Sequence, residues 1–438
     1  MGVAHGAVQK GAGRLERHRR RAPQGRLRGL AVLRGLLRGR HQGKARRLPR
    51  LPQTARGRGR PLSARVATAL VKPVGDRCNL ACSYCFYHPG TGRAGGVMEE
   101  EVLAALTRAV LAERASPAVF AWQGGEPTLA GLDFYRRAVD LQRRLASPGQ
   151  RLGNALQTNG LLIDSRWAAF LAENRFLVGL SIDGPADCHD AVRRSAAGAP
   201  SHARAVAAWD SLRRAGCEVN ILCVVSRANV DRPADVYAHL AGDLGAQYLQ
   251  LIPCVEGTPP GARHDASLTP GEYGRFLAAV FDLWAAETSR SVSVKLFDDL
   301  VLYLAGRPMR DCMHRPTCDS HLVVERDGSV YPCDFFVGDE HRLGTVTERT
   351  WRQLRNTARA RAFRSAKQRQ RPAECRGCRH LDICQGGCRK FWRPSAGGFT
   401  QYLCEDMRTF LDACRGRLEE MARAVQRRWR EWRASPGR

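Results

Sequence analysis

From residue 66 onward, short apolar runs alternate with longer segments in which apolar residues recur at helical spacing. The run VATALVKPV predicts a first strand, and MEEEVLAALTRAVLAE, with acidic residues at its start, predicts the helix after it. Five more strand-and-helix pairs follow. Mostly apolar strands connected by helices favour a parallel sheet with helices outside, either open or closed into a partial barrel. The later strands are predicted at AVFAWQG, NALQTNG, FLVGLSIDG, EVNILCVV and YLQLIPC.

Polar and glycine-rich segments follow several of these strands. They are a cysteine loop after the first strand, then QGGEP, QTNG and SIDG. Ligands of such sheets bind at the carboxyl ends of the strands. The sequence therefore predicts a ligand site at this rim. The helix DSRWAAFLAEN, which follows QTNG, has Asp164 as its expected N-cap.

The regular alternation ends near residue 300, and cysteines become frequent. Between them, HLVVERDGSVYPCDFF predicts a hairpin with its turn at Asp327 and Gly328. Residues 405–433 have a helical pattern that ends in RRWREWR, which we interpret as a solvated helix face with packed tryptophans.

The charge is distributed unevenly. The formal net charge is +28, but residues 1–65 hold 19 Lys or Arg and a single acidic residue, Glu16. The composition of this basic head, residues 1–65, predicts a disordered extension. It could be an arm that binds nucleic acid or a membrane, or a segment upstream of a true start near Val66, and we favour the upstream segment. No stretch approaches the ~20 apolar residues of a membrane span, and we expect a cytoplasmic protein without a membrane partner. Sixteen cysteines in such a protein indicate metal binding or cysteine chemistry.

The stretch CNLACSYCFY places Cys78, Cys82 and Cys85 in one short loop. Structural zinc needs four ligands, usually as two short-spaced pairs, and fits this spacing poorly. A [4Fe–4S] cluster can be held by three cysteines, which leaves one iron open to a small ligand.

A CxxxCxxC loop after the first strand, with GGEP after the second, resembles the radical S-adenosylmethionine (SAM) enzymes. In that family the open iron binds the amino and carboxylate groups of SAM, which is cleaved to a 5′-deoxyadenosyl radical. The resemblance implies that SAM is contacted by Tyr84, Gly124, Gly125, Glu126, Ser181, Arg193 and Val255.

The later cysteines resemble the SPASM extension of that family, which carries two auxiliary [4Fe–4S] clusters. Two four-cysteine zinc sites are the alternative. The resemblance assigns the first auxiliary cluster to Cys312, Cys318, Cys333 and Cys388. It assigns the second to Cys375, Cys378, Cys384 and Cys404.

Within this group, QGGEPTLAGL, LQTNGLLID and DGSVYPCDFF resemble the anaerobic sulfatase-maturating enzymes. The resemblance implies oxidation of a Cys or Ser in an unfolded sulfatase precursor, at (Cys/Ser)-x-(Pro/Ala)-x-Arg, to Cα-formylglycine. It implies Asp334 as the base, Tyr87 and Gln123 as substrate contacts, and a flavodoxin or ferredoxin as the electron donor.

The expected fold class is therefore α/β, with a partial (β/α)6 radical SAM barrel followed by a cysteine-rich SPASM domain. The expected divisions are the basic extension at 1–65, the radical SAM core at 66–300, the SPASM domain at 301–410 and a C-terminal helix and tail at 411–438. Besides a purely structural metal protein, which would lack SAM cleavage, two other functions remain open. One is a SPASM enzyme that forms thioether or carbon–carbon bonds in a ribosomal peptide. The other is an RNA-binding protein that uses the basic head; we do not expect a nucleic-acid partner.

Overall fold

The computed structural model describes residues 67–87, 95–256, 265–287 and 292–434. The expectations for the basic head and for a start near Val66 lie outside the described residues.

A ten-stranded sheet organises the chain, in the order β10-β9-β8-β1-β2-β3-β4-β5-β6-β7. All neighbours from β1 to β7 are parallel. The six predicted strands are confirmed as β1 to β6. The first seven strands are β1 (Ala67–Val71), β2 (Ala118–Trp122), β3 (Leu152–Thr158), β4 (Leu177–Ser181), β5 (Glu218–Val225), β6 (Tyr248–Pro253) and β7 (Ser293–Val294).

Helices follow these strands, and six of the eight lie where the spacing of apolar residues predicts them; those at Ala186–Val192 and Lys295–Leu304 were not predicted. The eight are α1 (Glu100–Ala112), α2 (Leu132–Leu145), α3 (Ser165–Glu173), α4 (Ala186–Val192), α5 (His202–Arg214), α6 (Pro233–Tyr237), α7 (Glu272–Ala286) and α8 (Lys295–Leu304). Asp164 caps α3 as expected, because its side chain accepts a hydrogen bond from the backbone N–H of Trp167 at 2.8 Å. The helix predicted after β5 is split: α6 passes into a π-helical segment at Ala238–Asp243.

The predicted hairpin is confirmed and extends the same sheet. Its strands β8 (Leu322–Val324) and β9 (Ser329–Tyr331) are antiparallel, with Val323 opposite Tyr331. A two-residue strand, β10 (Gly344–Thr345), pairs with β9. β8 also runs parallel to β1, so the hairpin lies at the sheet edge beside the strand that leads into the cysteine loop.

The remaining helices surround the later cysteines. They are α9 (Trp351–Arg355), α10 (Ala358–Arg369), α11 (Leu381–Cys384) and α12 (Cys404–Ala434). A small hairpin, β11 (Trp392–Ser395) with β12 (Gly398–Gln401), precedes α12. The apolar face of α12 packs against α7 and α8 through Phe410, whose ring lies 5.6 Å from that of Phe297.

The expected domain divisions fall within helices in two places. The division at residue 300 lies inside α8, and the division at residue 410 lies inside α12. The helix α12 begins at Cys404, a candidate cluster ligand, and then packs against α7 and α8. It therefore connects the cysteine-rich part of the chain to the part that contains the parallel strands. Among the described residues, no helix combines the length and apolar character that a membrane crossing requires.

Candidate active site

The cysteine loop lies at the carboxyl end of β1 and is tied to the end of α4. The backbone N–H groups of Ala81 and Ser83 donate to the carbonyls of Arg194 and Val192, at 2.8 and 2.9 Å. This brings the three thiols close enough to interact. Burial raises the pKa of the Cys78 thiol to about 11, and the charges of Cys82 and Cys85 add to that rise.

Two glycines let the end of β2 approach the start of this loop. A Cβ on Gly125 would lie 2.1 Å from the carbonyl oxygen of Arg77, and Gly124 has a left-handed φ of +128°. The N–H of Gly125 donates to Gly75 at 2.8 Å, and that of Glu126 donates to Arg77 at 2.8 Å. The glycines therefore fix the base of the cysteine loop by close backbone contact.

The carboxylate of Glu126 joins β2 to β3. It is buried and accepts hydrogen bonds from the N–H and hydroxyl of Thr128, the hydroxyl of Thr158 and the N–H of Asn159. These bonds are 2.6–3.0 Å long. Since these bonds engage both carboxylate oxygens, the side chain of Glu126 holds the ends of β2 and β3 together.

Tyr84, Asp183 and Arg193 form a buried group beside the cysteine loop. The hydroxyl of Tyr84 donates to Asp183, and a terminal nitrogen of Arg193 donates to the Tyr84 oxygen at 2.5 Å. Burial alone would lower the pKa of Arg193, but the negative charges around it raise that pKa, so the guanidinium stays charged. Ser181 is buried at the end of β4 on the same rim, and Val255 is buried after β6.

These residues fit the cofactors that the sequence implies. Three thiols clustered in one loop suit a [4Fe–4S] cluster with an open iron. The Nε of Arg193 is buried and has no hydrogen-bond partner in the described part of the chain. A buried guanidinium with an unused donor suits a carboxylate such as that of SAM.

Asp334 follows the hairpin and lies beside the ends of β1 and β2. Its Oδ2 accepts a hydrogen bond from Gln123 Nε2 at 3.0 Å, across 211 positions in sequence. Its Oδ1 lies 3.6 Å from Sγ of Cys333. The structure therefore brings together the expected base, one expected substrate contact and one expected cluster ligand.

The second expected substrate contact, Tyr87, lies nearby and is buried. Its hydroxyl donates to Glu325 at 2.6 Å, and the ammonium of Lys72 lies 3.5 Å from the ring centroid. The hydroxyl is therefore held by the β8 side of the sheet, and a substrate at this position would meet the ring.

The four cysteines expected at the first auxiliary cluster interact. Burial raises the pKa of Cys312 to about 12, and the charge of Cys388 adds to the rise. Burial also raises the pKa of Cys333 and of Cys388, where Cys312 and Cys318 respectively add to it. A buried lysine fixes the segment between the first two ligands, since Lys367 Nζ donates to the backbone carbonyls of Met313 and Arg315 at 2.7 and 2.5 Å.

The four cysteines expected at the second auxiliary cluster line one cavity. The cavity walls include Cys375, Cys378, Cys384 and Cys404, together with Gly386, Gln401 and Met407. All sixteen cysteines of the chain are free thiols. Two sets of four converging thiols fit two fully ligated clusters, although the same donors could hold zinc.

One residue of this site was not predicted from the sequence. A ring nitrogen of His321, a carboxylate oxygen of Asp334 and Sγ of Cys333 all lie within 4.8 Å of one another. Extending the hairpin register places residue 321 opposite residue 333, since Val323 pairs with Tyr331. The predicted turn at Asp327 and Gly328 therefore contained a signal that could have identified His321.

Two family models match the chain. The Radical SAM superfamily covers residues 73–240, and SPASM, an iron-sulfur cluster-binding domain, covers residues 312–379. These matches confirm the radical SAM and SPASM regions that the cysteine spacing and GGEP indicated.

Similar proteins include sulfatase-maturating enzymes of both types. The chain is 35% identical over 366 residues to the cysteine-type anaerobic sulfatase-maturating enzyme of Clostridium perfringens (strain 13 / Type A), which covers 82% of this chain and 98% of that protein. It is 33% identical over 359 residues to the serine-type enzyme of Bacteroides thetaiotaomicron, covering 77% and 86% of the two chains.

Solved structures agree with the architecture. The structure of native anSMEcpe with bound AdoMet and Cp18Cys peptide matches with a TM-score of 0.77 and 35% identity, covering 82% of this chain and all of the other. Streptococcus suis SuiB bound to S-adenosylmethionine matches at 16% identity and a TM-score of 0.55, which shows the shared fold alone.

The comparisons confirm the fold class and the radical SAM enzyme class. The expected cofactors, SAM and three [4Fe–4S] clusters, are those of this family. On its 35% identity over nearly the full length of its relative, the chain belongs to the anaerobic sulfatase-maturating enzymes, a family of radical SAM enzymes with a SPASM domain.

Proposed function

We propose that the protein oxidises an active-site Cys or Ser of an unfolded sulfatase precursor to Cα-formylglycine. The observation that carries the proposal is the position of Asp334. This carboxylate is held by Gln123 at 3.0 Å and adjoins Cys333, an expected cluster ligand. A base and an electron acceptor that lie side by side are what a two-electron oxidation of a thiol or hydroxyl needs.

The proposed site for SAM and its cluster lies at the rim of the parallel strands. Cys78, Cys82 and Cys85 would hold the cluster. The residues proposed to contact SAM are Tyr84, Gly124, Gly125, Glu126, Ser181, Arg193 and Val255. In this assignment Arg193 meets the carboxylate through its unpaired Nε, and the GGEP segment contributes backbone groups.

The two auxiliary clusters would be held by the eight later cysteines. We assign the first to Cys312, Cys318, Cys333 and Cys388. We assign the second to Cys375, Cys378, Cys384 and Cys404. When bound, SAM and its cluster supply a 5′-deoxyadenosyl radical that takes one hydrogen atom from Cβ of the target residue, and the auxiliary clusters supply an acceptor for one electron.

The protein's own side chains remove the proton and orient the group that accepts it. Asp334 takes the proton of the target thiol or hydroxyl at a carboxylate oxygen, and Gln123 keeps that carboxylate oriented. Loss of one hydrogen atom, one proton and one electron leaves a carbon–sulfur or carbon–oxygen double bond. The oxygen product is formylglycine, and water hydrolyses the sulfur product to it. Tyr87 and Gln123 flank the target peptide.

We also propose the partners, the compartment and the domain bounds. The target motif is (Cys/Ser)-x-(Pro/Ala)-x-Arg, the electron donor is a flavodoxin or ferredoxin, and the reaction takes place in the cytoplasm. The radical SAM core occupies 66–300 and the SPASM domain 301–410, followed by the terminal helix and tail at 411–438.

The test uses anaerobically purified, iron-reconstituted protein with SAM, dithionite and a peptide that contains Cys-x-Pro-x-Arg. Mass spectrometry follows an aldehyde on the peptide together with 5′-deoxyadenosine. Asp334→Asn should stop aldehyde formation while the nucleoside still forms. Asp339→Asn, which changes an exposed aspartate on the same domain, is the matched control and should leave both unchanged. Aldehyde at the wild-type rate in Asp334→Asn would exclude the proposed base.

A further inference from the structure

His321 lies beside the proposed base, Asp334. It immediately precedes β8, and the hairpin register places it opposite Cys333. A ring nitrogen of His321 and a carboxylate oxygen of Asp334 lie within 4.8 Å of each other. The imidazole therefore lies next to the proposed base.

One nitrogen of this ring is engaged and the other is not. Nδ1 lies 2.8 Å from the hydroxyl of Ser320. Nε2 is buried and has no hydrogen-bond partner among the residues that the structure describes. Buried polar atoms without partners are rare in folded proteins, and an unpaired one on a ring that lies beside the proposed base points to a ligand.

The spacing between the two side chains fits one atom. A hydroxyl oxygen can lie about 2.8 Å from both a carboxylate oxygen and a ring nitrogen when these are up to 4.8 Å apart. At the full 4.8 Å the angle at the oxygen is about 118°, which suits one donated and one accepted hydrogen bond. A thiol sulfur, with longer hydrogen bonds, fits the same space.

We propose that His321 is a substrate-binding residue that, together with Asp334, holds the hydroxyl or thiol of the target residue between them. The target donates its proton toward Asp334 and accepts a hydrogen bond from Nε2–H of His321. This inference rests on the proposed function, because it takes the target residue to be a Ser or Cys of a peptide.

This arrangement assigns the tautomer and a chemical role. In the proposed arrangement the Ser320 hydroxyl donates to Nδ1, and the ring proton is on Nε2. As the target loses its proton to Asp334, negative charge grows on the oxygen or sulfur that Nε2–H faces. A donor already aimed at that atom stabilises the charge without reorganisation.

The test measures peptide binding as well as turnover. Reconstituted enzyme with SAM, but without reductant, is titrated with fluorescent peptides that carry Ser, Cys or Ala at the target position. We expect wild type to bind the Ser and Cys peptides about 3- to 10-fold more tightly than the Ala peptide, the range of one net hydrogen bond. His321→Phe should abolish this preference, and His321→Gln, which keeps an N–H donor, should retain part of it.

A stability measurement separates a binding role from a structural one. His321→Phe removes a buried unpaired donor and one hydrogen bond to the half-exposed Ser320 hydroxyl, which water can replace, so it should unfold close to the wild-type temperature or above it. His239→Gln, in the π-helical segment beside Asp243, is the matched control and should change neither binding nor turnover. The proposal is overturned if His321→Phe keeps the preference for Ser and Cys, or if both His321 variants unfold at lower temperature with the preference intact.

The outcomes also separate this inference from the proposed function. If wild type and His321→Phe form the aldehyde with equal KM and kcat, the function stands and the role of His321 is wrong. If the preference for Ser and Cys depends on His321 but no peptide is converted to an aldehyde, the binding role stands and the proposed reaction is wrong.

Discussion

Gly125→Ala tests whether close backbone contact builds the cluster loop. The new Cβ would lie 2.1 Å from the carbonyl oxygen of Arg77 and 2.8 Å from the carbonyl carbon of Asp76, where ordinary contact begins at 3.4 Å. The two backbones must therefore separate by about 1.3 Å, since backbone atoms cannot rotate away as a side chain can.

That separation breaks the hydrogen bonds from Gly125 to Gly75 and from Glu126 to Arg77, both 2.8 Å long. An N–H group left without a partner costs about 1–3 kcal/mol, so we expect the variant to be less stable by about 2–6 kcal/mol. Because Cys78 directly follows Arg77, we also expect it to retain less iron after reconstitution.

The assay is urea unfolding of the anaerobically reconstituted protein, combined with iron analysis. Gly416→Ala is the matched control: no atom lies within 4 Å of its Cβ position on α12, so helix propensity should raise stability by about 0.5–1 kcal/mol. Its iron content should equal that of wild type. A Gly125→Ala protein with the urea midpoint and iron content of wild type would refute the packing argument.

Three further predictions concern charge and ligation. Arg193→Lys keeps a cation but removes the unpaired Nε. The Kd for SAM, measured by equilibrium dialysis, should therefore rise by roughly 10- to 100-fold, which corresponds to one charge-assisted hydrogen bond. An unchanged Kd would exclude Arg193 as the partner of the SAM carboxylate. Cys404→Ser should cost one [4Fe–4S] cluster per chain by iron analysis, and full iron content would contradict its assignment. Burial raises the pKa of Asp298 to about 7 from an ordinary value of 3.8, which corresponds to about 4 kcal/mol. That stability is fully present below about pH 4 and falls as the pH rises from about 4 to 7, so Asp298→Asn should flatten the stability profile over that range; an unchanged profile would contradict the raised pKa.

The parallel strands and most helices could be predicted because their signals are local. Each strand of the first half is a short apolar run, and each helix shows its own spacing and, for α3, its own cap at Asp164. The short β7 and the helix α8 were not predicted. Two residues of strand carry almost no pattern, and the helix lies where the cysteine-rich part was expected to begin.

The position of the hairpin in the sheet could not be predicted from the residues of the hairpin. The sequence predicts the turn and both strands, but the pairing of β8 with β1 joins residues 69–71 to residues 322–324. Such a contact depends on which sheet edge is free after the barrel forms. It is also what brings Asp334 to Gln123.

The sequence indicates which residue types belong to the site, but it does not show the environment of each residue. The resemblance to the SPASM extension assigns eight cysteines to two auxiliary sets from residue types alone, because a ligand role depends on the thiol itself, and these assignments stay predictions. In contrast, the unpaired Nε2 of His321 and the four hydrogen bonds on the Glu126 carboxylate depend on neighbours distant in sequence.

The most direct test of the central claim is deuterium transfer from the substrate. A Cys-x-Pro-x-Arg peptide with deuterium on Cβ of the target cysteine is incubated with the reconstituted enzyme, SAM and dithionite. The account predicts 5′-deoxyadenosine that carries deuterium, formed in step with a peptide aldehyde. Nucleoside without deuterium beside an unchanged peptide, or a cross-linked peptide without aldehyde, would contradict it.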